Sequence, residues 1–244
     1  MKSVIPRLDA LPPAQRALWP RLSEFVRDFV LYGGTALSLQ AGGRTSVDFD
    51  FFSPNPLEIG GLSKRYPVLK DAVLQSRAAD TATFLVNDGS SAVAVSFFGN
   101  LGFGRVGEPV RFSDNGLFAA GLLDLAAQKI KVIQQRAEMK DYADLHLLFS
   151  LGVSLDEALG AATALYPEFN PSVSLKALSY FGDVSRLPEK MQRDLTVAAS
   201  RVREIPRINR LSASLLPDSD SIGMTWEAGE AEKTKGRREP EMEI

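Results

Sequence analysis

The sequence predicts an α+β protein, a small mixed sheet with helices followed by a C-terminal helical bundle. Short or alternating apolar runs broken by Gly, Asn and Pro fill the first half, whereas helical spacing holds from about Gly121 onward. Strands that precede helices in this way belong to a segregated α+β architecture. With 244 residues, 45% apolar and 24% charged, the chain can bury a substantial core and has the balance of an ordinary soluble domain.

The elements follow in order. A Pro-Pro entry leads into a helix from about Pro13 to Val26, with Leu18, Leu22, Phe25 and Val26 at helical spacing. Phe29 to Tyr32 is a short strand stopped by Gly33 and Gly34, and Thr35 to Ala41 is a helix closed by Gly42 and Gly43. Ser46 to Phe52 alternates Val47, Phe49 and Phe51 against Asp48 and Asp50, the pattern of a half-buried strand. A hairpin joins Thr81–Val86 to Ala92–Phe98 through Asn87-Asp88-Gly89. Helices are expected over Leu122–Ala137, Lys140–Leu151, Leu155–Leu165, Val173–Phe181 and Glu189–Glu204. The expected division is a core over 1–116, a helical domain that completes its cleft over 117–216, and a disordered charged tail over 217–244.

Composition removes several chemistries. There is no Cys, so disulfides and thiolate sites are excluded, and the single histidine, His146, cannot supply a multi-histidine metal site. With 28 basic and 30 acidic side chains the net charge of −2 draws the chain to neither DNA nor membrane, and any polyanion needs a local patch. Arg201, Arg203, Arg207 and Arg210 form such a stretch, which is also what a solvated helix end looks like. No signal peptide or membrane-length apolar run is visible, so the expected location is cytoplasmic.

Gly33-Gly34-Thr35 between strand and helix leaves backbone N–H groups open to a phosphate, and Thr35 can cap the helix or donate to a phosphate oxygen. A plain tight turn uses the same residues. Asp48 and Asp50, two apart on a strand, share one face with Cα atoms about 6.5–7 Å apart. Two such carboxylates suit Mg²⁺ or Mn²⁺ completed by substrate phosphates, and equally suit the solvated face of a strand. A third alternative takes Asp48-Phe49-Asp50 as the nucleophile motif of a haloacid-dehalogenase-like phosphatase. The order of glycine turn and then acidic pair, separated by one short helix, favours a triphosphate held by the turn and a cation held by the pair.

The helical half carries a second anomaly. On a 100° projection of Leu122–Ala137, Lys129 and Arg136 fall inside the apolar arc, while Lys131 falls opposite. In the next helix Asp141 lies with Tyr142, Leu145, Leu148 and Phe149, and Asp144 lies at the margin. Lys129 or Arg136 therefore either ties to Asp141 inside the protein or opens onto a cleft that holds phosphate.

The stretch Tyr32-Gly33-Gly34-Thr35 through Arg44-Thr45-Ser46-Val47-Asp48-Phe49-Asp50-Phe51 resembles motif I of the polymerase-β-like nucleotidyltransferases. The segment Lys129-Ile130-Lys131 through Arg136-Ala137-Glu138-Met139-Lys140-Asp141-Tyr142-Ala143-Asp144-Leu145 is similar to a second signature of the AbiEii/AbiGii toxin family. The resemblance implies a polymerase-β-like core. It implies Gly33, Gly34, Thr35, Arg44, Lys129 and Arg136 as nucleotide-binding residues, Asp48 and Asp50 as metal ligands, and Asp48, Asp50, Lys129 and Asp141 as catalytic residues. It further implies a Mg-NTP substrate, transfer of a nucleoside monophosphate to RNA, often tRNA, and a separately encoded antitoxin as partner. The chain departs from the superfamily pattern at one place. The neighbouring strand Ala92–Phe98 holds no third carboxylate and presents Ser96 instead. The alternative is accordingly a catalytically silent nucleotide-binding or interaction protein on the same scaffold.

Overall fold

The computed structural model describes residues 2–87 and 91–217. The tail expected over 217–244 falls, from residue 218 on, outside the described residues, as does the hairpin turn at Asp88-Gly89. In chain order the elements are β1 (Ser3–Val4), α1 (Pro13–Leu18), β2 (Val30–Tyr32), α2 (Gly33–Ala41), β3 (Asp48–Phe52), α3 (Ile59–Arg65), β4 (Val73–Ala78), β5 (Thr81–Asn87), β6 (Ala92–Phe98), β7 (Val110–Phe112) and β8 (Phe118–Ala119). The helices α4 (Leu122–Val132), α5 (Met139–Ser150), α6 (Leu155–Leu165), α7 (Pro171–Ala177) and α8 (Glu189–Arg201) follow.

The strands form one mixed sheet of eight in the order β1-β7-β8-β2-β3-β6-β5-β4. It is larger than the small sheet expected, because β1, β4, β7 and β8 escaped the sequence. β1, β7 and β8 have three residues or fewer and β4 reads Val-Leu-Gln-Ser-Arg-Ala, so none shows a period of two. The sheet also runs past the expected boundary at 116, since β8 pairs with β2 in parallel. After α8 the chain returns to the core, where the Arg105 N–H donates to the Ser212 carbonyl at 2.9 Å.

The central strand β3 separates two environments. Phe49 and Phe51 are fully buried on one face, where Phe51 meets Phe25 edge-on at 4.8 Å and Phe25 meets Phe97 at 5.1 Å. Burying one such ring contributes roughly 1.5–3 kcal/mol. Asp48 and Asp50 take the other face. Val47 departs from expectation, being 61% exposed. The strand begins at Asp48, one residue after it, so Val47 has no ladder partner to carry it inward.

The first helix also differs. It is α-helical only over Pro13–Leu18 and continues as a 3₁₀ run over Trp19–Phe25, where Pro20 lacks the N–H that an α-turn would use. In the helical half, α4 packs on α5 and α6 and buries Leu125, Ala126 and Ile130. It stops at Val132 rather than Ala137. The N–H groups of Gln134 and Gln135 bond to the carbonyls three residues back, tightening the last turn and releasing the chain.

Candidate functional site

The acidic face of β3, the glycine turn before α2, and one side of α4 and α5 enclose a cleft of about 160 Å³. Gly33, Gly34, Arg44, Asp48, Asp50, Lys129, Arg136 and Asp141 all line it, so the structure brings together every expected site residue except Thr35.

The glycines stand close against charged side chains of the cleft. Gly33 has φ +74° and stands against the Asp50 carboxylate, while Gly34 stands against the Arg44 guanidinium and the Ser46 hydroxyl. A Cβ at either position would overlap those groups. Thr35 has a different role from the one expected. It is buried inside α2, and its hydroxyl donates to the Asp48 carbonyl, so it neither caps the helix nor faces the cleft. This bond fastens the start of β3 to α2 and fixes where the acidic pair begins. Ser38 completes the attachment by donating to the Arg44 carbonyl at 2.8 Å.

Asp50 lies opposite Ser96 on β6, and Ser96 lies opposite Thr83 on β5. The Ser96 and Thr83 hydroxyls are 3.1 Å apart and satisfy each other. The position beside the acidic pair is thus a neutral hydroxyl pair. Burial, and then the Asp48 charge, push the Asp50 carboxyl up to about 6 against the opposing pull of Lys129, Lys140 and Arg136.

Among the described residues no group of three or more His, Cys, Asp or Glu side chains is placed to hold a metal ion. A cation here would take two protein carboxylates and complete its shell from substrate phosphates and water. This donor set fits Mg²⁺.

Across the cleft runs a chain of alternating charge. Arg44 grips Asp144 with Nε and Nη2, each 2.8 Å from a carboxylate oxygen. Asp144 also holds Lys129 Nζ at 2.7 Å, and Lys129 reaches Asp141 at 2.8 Å. Arg136 closes the chain on the other Asp141 oxygen at 3.1 Å. Burial raises the Asp141 pKa, but the Lys129 ammonium and Arg136 guanidinium outweigh it and hold the group below the ordinary carboxylate value. Both of its oxygens are engaged. Asp141 is therefore poorly suited to stand in for the missing third carboxylate as a base, and it is built to position two cations.

Arg136 was expected inside an apolar arc. Because α4 ends before it, the side chain is 48% exposed at the cleft rim. Lys131 points away as expected and lies 4.8 Å from the Tyr166 ring centre. Of the four arginines near the end of the helical part none lines the cleft, and Arg210 donates to the Ala164 carbonyl. Sequence reasoning missed Asp144, Gln128, Ser46 and Lys140. Asp144 carries a readable signal, since it stands three residues after Asp141 and shares its helix face.

The chain matches, over residues 16–213, the model of a family described as nucleotidyl transferase AbiEii toxin, type IV toxin–antitoxin system. It belongs to that family. The family description carries with it an antitoxin partner. A relative from Aquifex aeolicus, described as an uncharacterized protein, is 35% identical over 159 residues, which are 64% of this chain and 75% of the relative. Among solved structures, one described as a nucleotidyltransferase from H. pylori aligns with a TM-score of 0.51 at 18% identity, covering 76% of this chain and 91% of the other. That likeness is one of fold. MenT4, a nucleotidyltransferase toxin from Mycobacterium tuberculosis, aligns with a TM-score of 0.41 at 17% identity, covering 88% and 78%. Among the described residues no single helix is long and apolar enough to cross a membrane.

Proposed function

We propose that the protein transfers a nucleoside monophosphate from a Mg-NTP to an acceptor hydroxyl, with RNA as the acceptor class and the cytoplasm as its place of action. The observation that carries the reading is the facing arrangement in one cleft, a carboxylate pair on β3 against Arg44, Lys129 and Arg136. Asp48 and Asp50 would hold Mg²⁺, or Mn²⁺ in its place, and the bound ion would neutralise charge on the triphosphate. Lys129 has three N–H bonds and spends two on Asp141 and Asp144, leaving one for a phosphate oxygen. Arg44 would bring its guanidinium to the phosphates at the Gly34 turn, and Arg136 would reach them from the rim.

In the transfer, the acceptor oxygen forms a bond to the α-phosphorus as the bond from that phosphorus to the bridging oxygen breaks. Pyrophosphate leaves, and the hydroxyl proton passes to a cleft carboxylate. Catalysis of this kind is mostly positioning and charge stabilisation. The cations of the ion-pair chain are already aligned in the free protein, which lowers the reorganisation needed at reaction.

A second reading is favoured by Ser96, the uncharged neighbour of Asp50 on β6: the cleft binds Mg-NTP without turnover. One experiment separates the two. Purified protein is incubated with each α-³²P-labelled NTP, Mg²⁺ and total RNA, beside an Asp48→Ala/Asp50→Ala variant. Label in RNA with the wild type alone supports transfer. Mg-NTP binding with no labelled product overturns it and leaves the silent scaffold.

A further inference from the structure

Lys140 lines the cleft with Arg136 but has no part in the nucleotide reading. In the free protein one carboxylate holds them both. Glu138 Oε2 lies 2.8 Å from Lys140 Nζ, and Glu138 Oε1 lies 3.3 Å from Arg136 Nη1. Glu138 itself is not among the residues that line the cleft, so two of the cleft's cations are engaged by an anion outside it.

The ion pairs around the cleft are of two kinds. The side chains of Lys129, Asp141 and Asp144 are 7%, 0% and 3% exposed, and pairs so buried are costly to break. Those of Glu138, Arg136 and Lys140 are 41%, 48% and 45% exposed, and half-exposed pairs are weak and exchange readily. The rim pairs are therefore the ones that an entering polyanion can displace. Arg136 keeps Nε on Asp141 at 3.1 Å, so losing Glu138 frees Nη1 without loosening the guanidinium. Lys140 has Glu138 as its one ion pair among the described residues. Glu138 is the N-cap residue of α5, yet its side chain makes no capping hydrogen bond, so it can swing away without cost to the helix.

We propose that Glu138 is a displaceable stand-in for nucleotide phosphate: it holds Lys140 and Arg136 in the free protein and yields both to phosphate oxygens when the nucleotide binds. The assignment rests on the nucleotide reading given above. Carboxylate and phosphate both offer ionised acceptor oxygens to a pair of cations, so the exchange replaces each contact with one of the same kind. Glu138 thereby holds affinity down, because binding must break its two contacts and leave its charge beside the phosphates.

The test is equilibrium titration of the full chain with ATP in Mg²⁺, for the wild type, Glu138→Gln, Lys140→Met and the double variant. Far-UV circular dichroism and melting temperature verify that each variant is folded. Glu138→Gln, which keeps the volume and removes the charge, is expected to bind ATP about three- to tenfold more tightly, the scale of two half-exposed ion pairs. Lys140→Met alone is expected to bind ATP more weakly. In the Lys140→Met background the gain from Glu138→Gln should shrink below about twofold, because the cation to be released is gone. Unchanged or weaker binding by Glu138→Gln overturns the assignment, the weaker result making Glu138 a group that aligns the cations. An equal gain in both backgrounds also overturns it, since that is the effect of removing a nearby negative charge without any displacement. In each of these cases nucleotide still binds and the transferase reading stands. Failure of the wild type to bind any NTP or inorganic tripolyphosphate overturns both.

Discussion

Replacing Asp144 by Asn removes the charge at the centre of the ion-pair chain while keeping the shape of the side chain. Asp144 is 2% exposed and holds Lys129 at 2.7 Å and Arg44 through two bonds of 2.8 Å. Deleting one partner of a buried ion pair costs about 3–5 kcal/mol. Two features reduce that figure. Lys129 keeps Asp141 at 2.8 Å, and Arg44, with 29% of its side chain exposed, recovers hydration. The expected loss is about 2–3 kcal/mol, which lowers the melting temperature of a chain this size by about 5–10 °C. Saturating Mg-ATP should restore more stability to the variant than to the wild type, because the freed Arg44 and Lys129 then pair with phosphate. Thermal melts with and without nucleotide measure both effects. A variant within about 1 °C of the wild type, or one that nucleotide stabilises no more than the wild type, refutes the claim that Asp144 organises the cationic wall.

Further outcomes are expected elsewhere. Gly33→Ala places a Cβ on the Asp50 carboxylate at φ +74° and should cost about 1–3 kcal/mol together with a loss of Mg²⁺-dependent nucleotide binding; unchanged binding would show that the close approach is dispensable. Asp50, at about 6 in the folded protein against 3.8 unfolded, takes up a proton on folding between those values, so its ionised form lowers stability above about pH 6. Asp50→Asn should therefore melt higher than the wild type at pH 7.5 without metal, with the gain gone near pH 4, and a gain that persists at acid pH contradicts the assignment. Gln15 is 1% exposed, and both its amide atoms are buried and unpartnered among the described residues, so Gln15→Met should raise stability by about 1–2 kcal/mol, measured by urea unfolding; a loss would reveal a partner. Lys131→Ala should cost only about 0.5–1 kcal/mol, its contact with the Tyr166 ring, and leave NTP affinity unchanged, whereas Lys129→Ala weakens NTP binding in the same titration.

How much of this could be read from residues depended on the length over which each pattern runs. The Asp48–Phe52 alternation showed a strand with one acidic and one aromatic face, because five residues suffice for a period of two. Lys129 stands out because Leu122, Leu125, Ala126, Ile130 and Val132 on α4 define an apolar stripe for it to interrupt. Strands of two or three residues carry no period, so β1, β7 and β8 were invisible, and the sheet was undercounted. Thr35 was misjudged for a different reason. A hydroxyl at a glycine turn offers the same local chemistry whether it faces a ligand or a neighbouring strand, and only tertiary packing gave it the Asp48 carbonyl. Asp144 seemed marginal on its own helix because the partners that bury it, Arg44 and Lys129, come from other elements, Arg44 being 100 positions away in sequence.

The central claim is that this cleft moves a nucleoside monophosphate onto a hydroxyl, and intact-mass spectrometry of the acceptor tests it most directly. RNA incubated with the protein, Mg²⁺ and one NTP is predicted to gain the mass of one or more nucleoside monophosphates, with one pyrophosphate released for each addition. The Asp48→Ala/Asp50→Ala variant is predicted to leave both masses unchanged. RNA that keeps its mass while the NTP is bound and recovered intact would contradict the account.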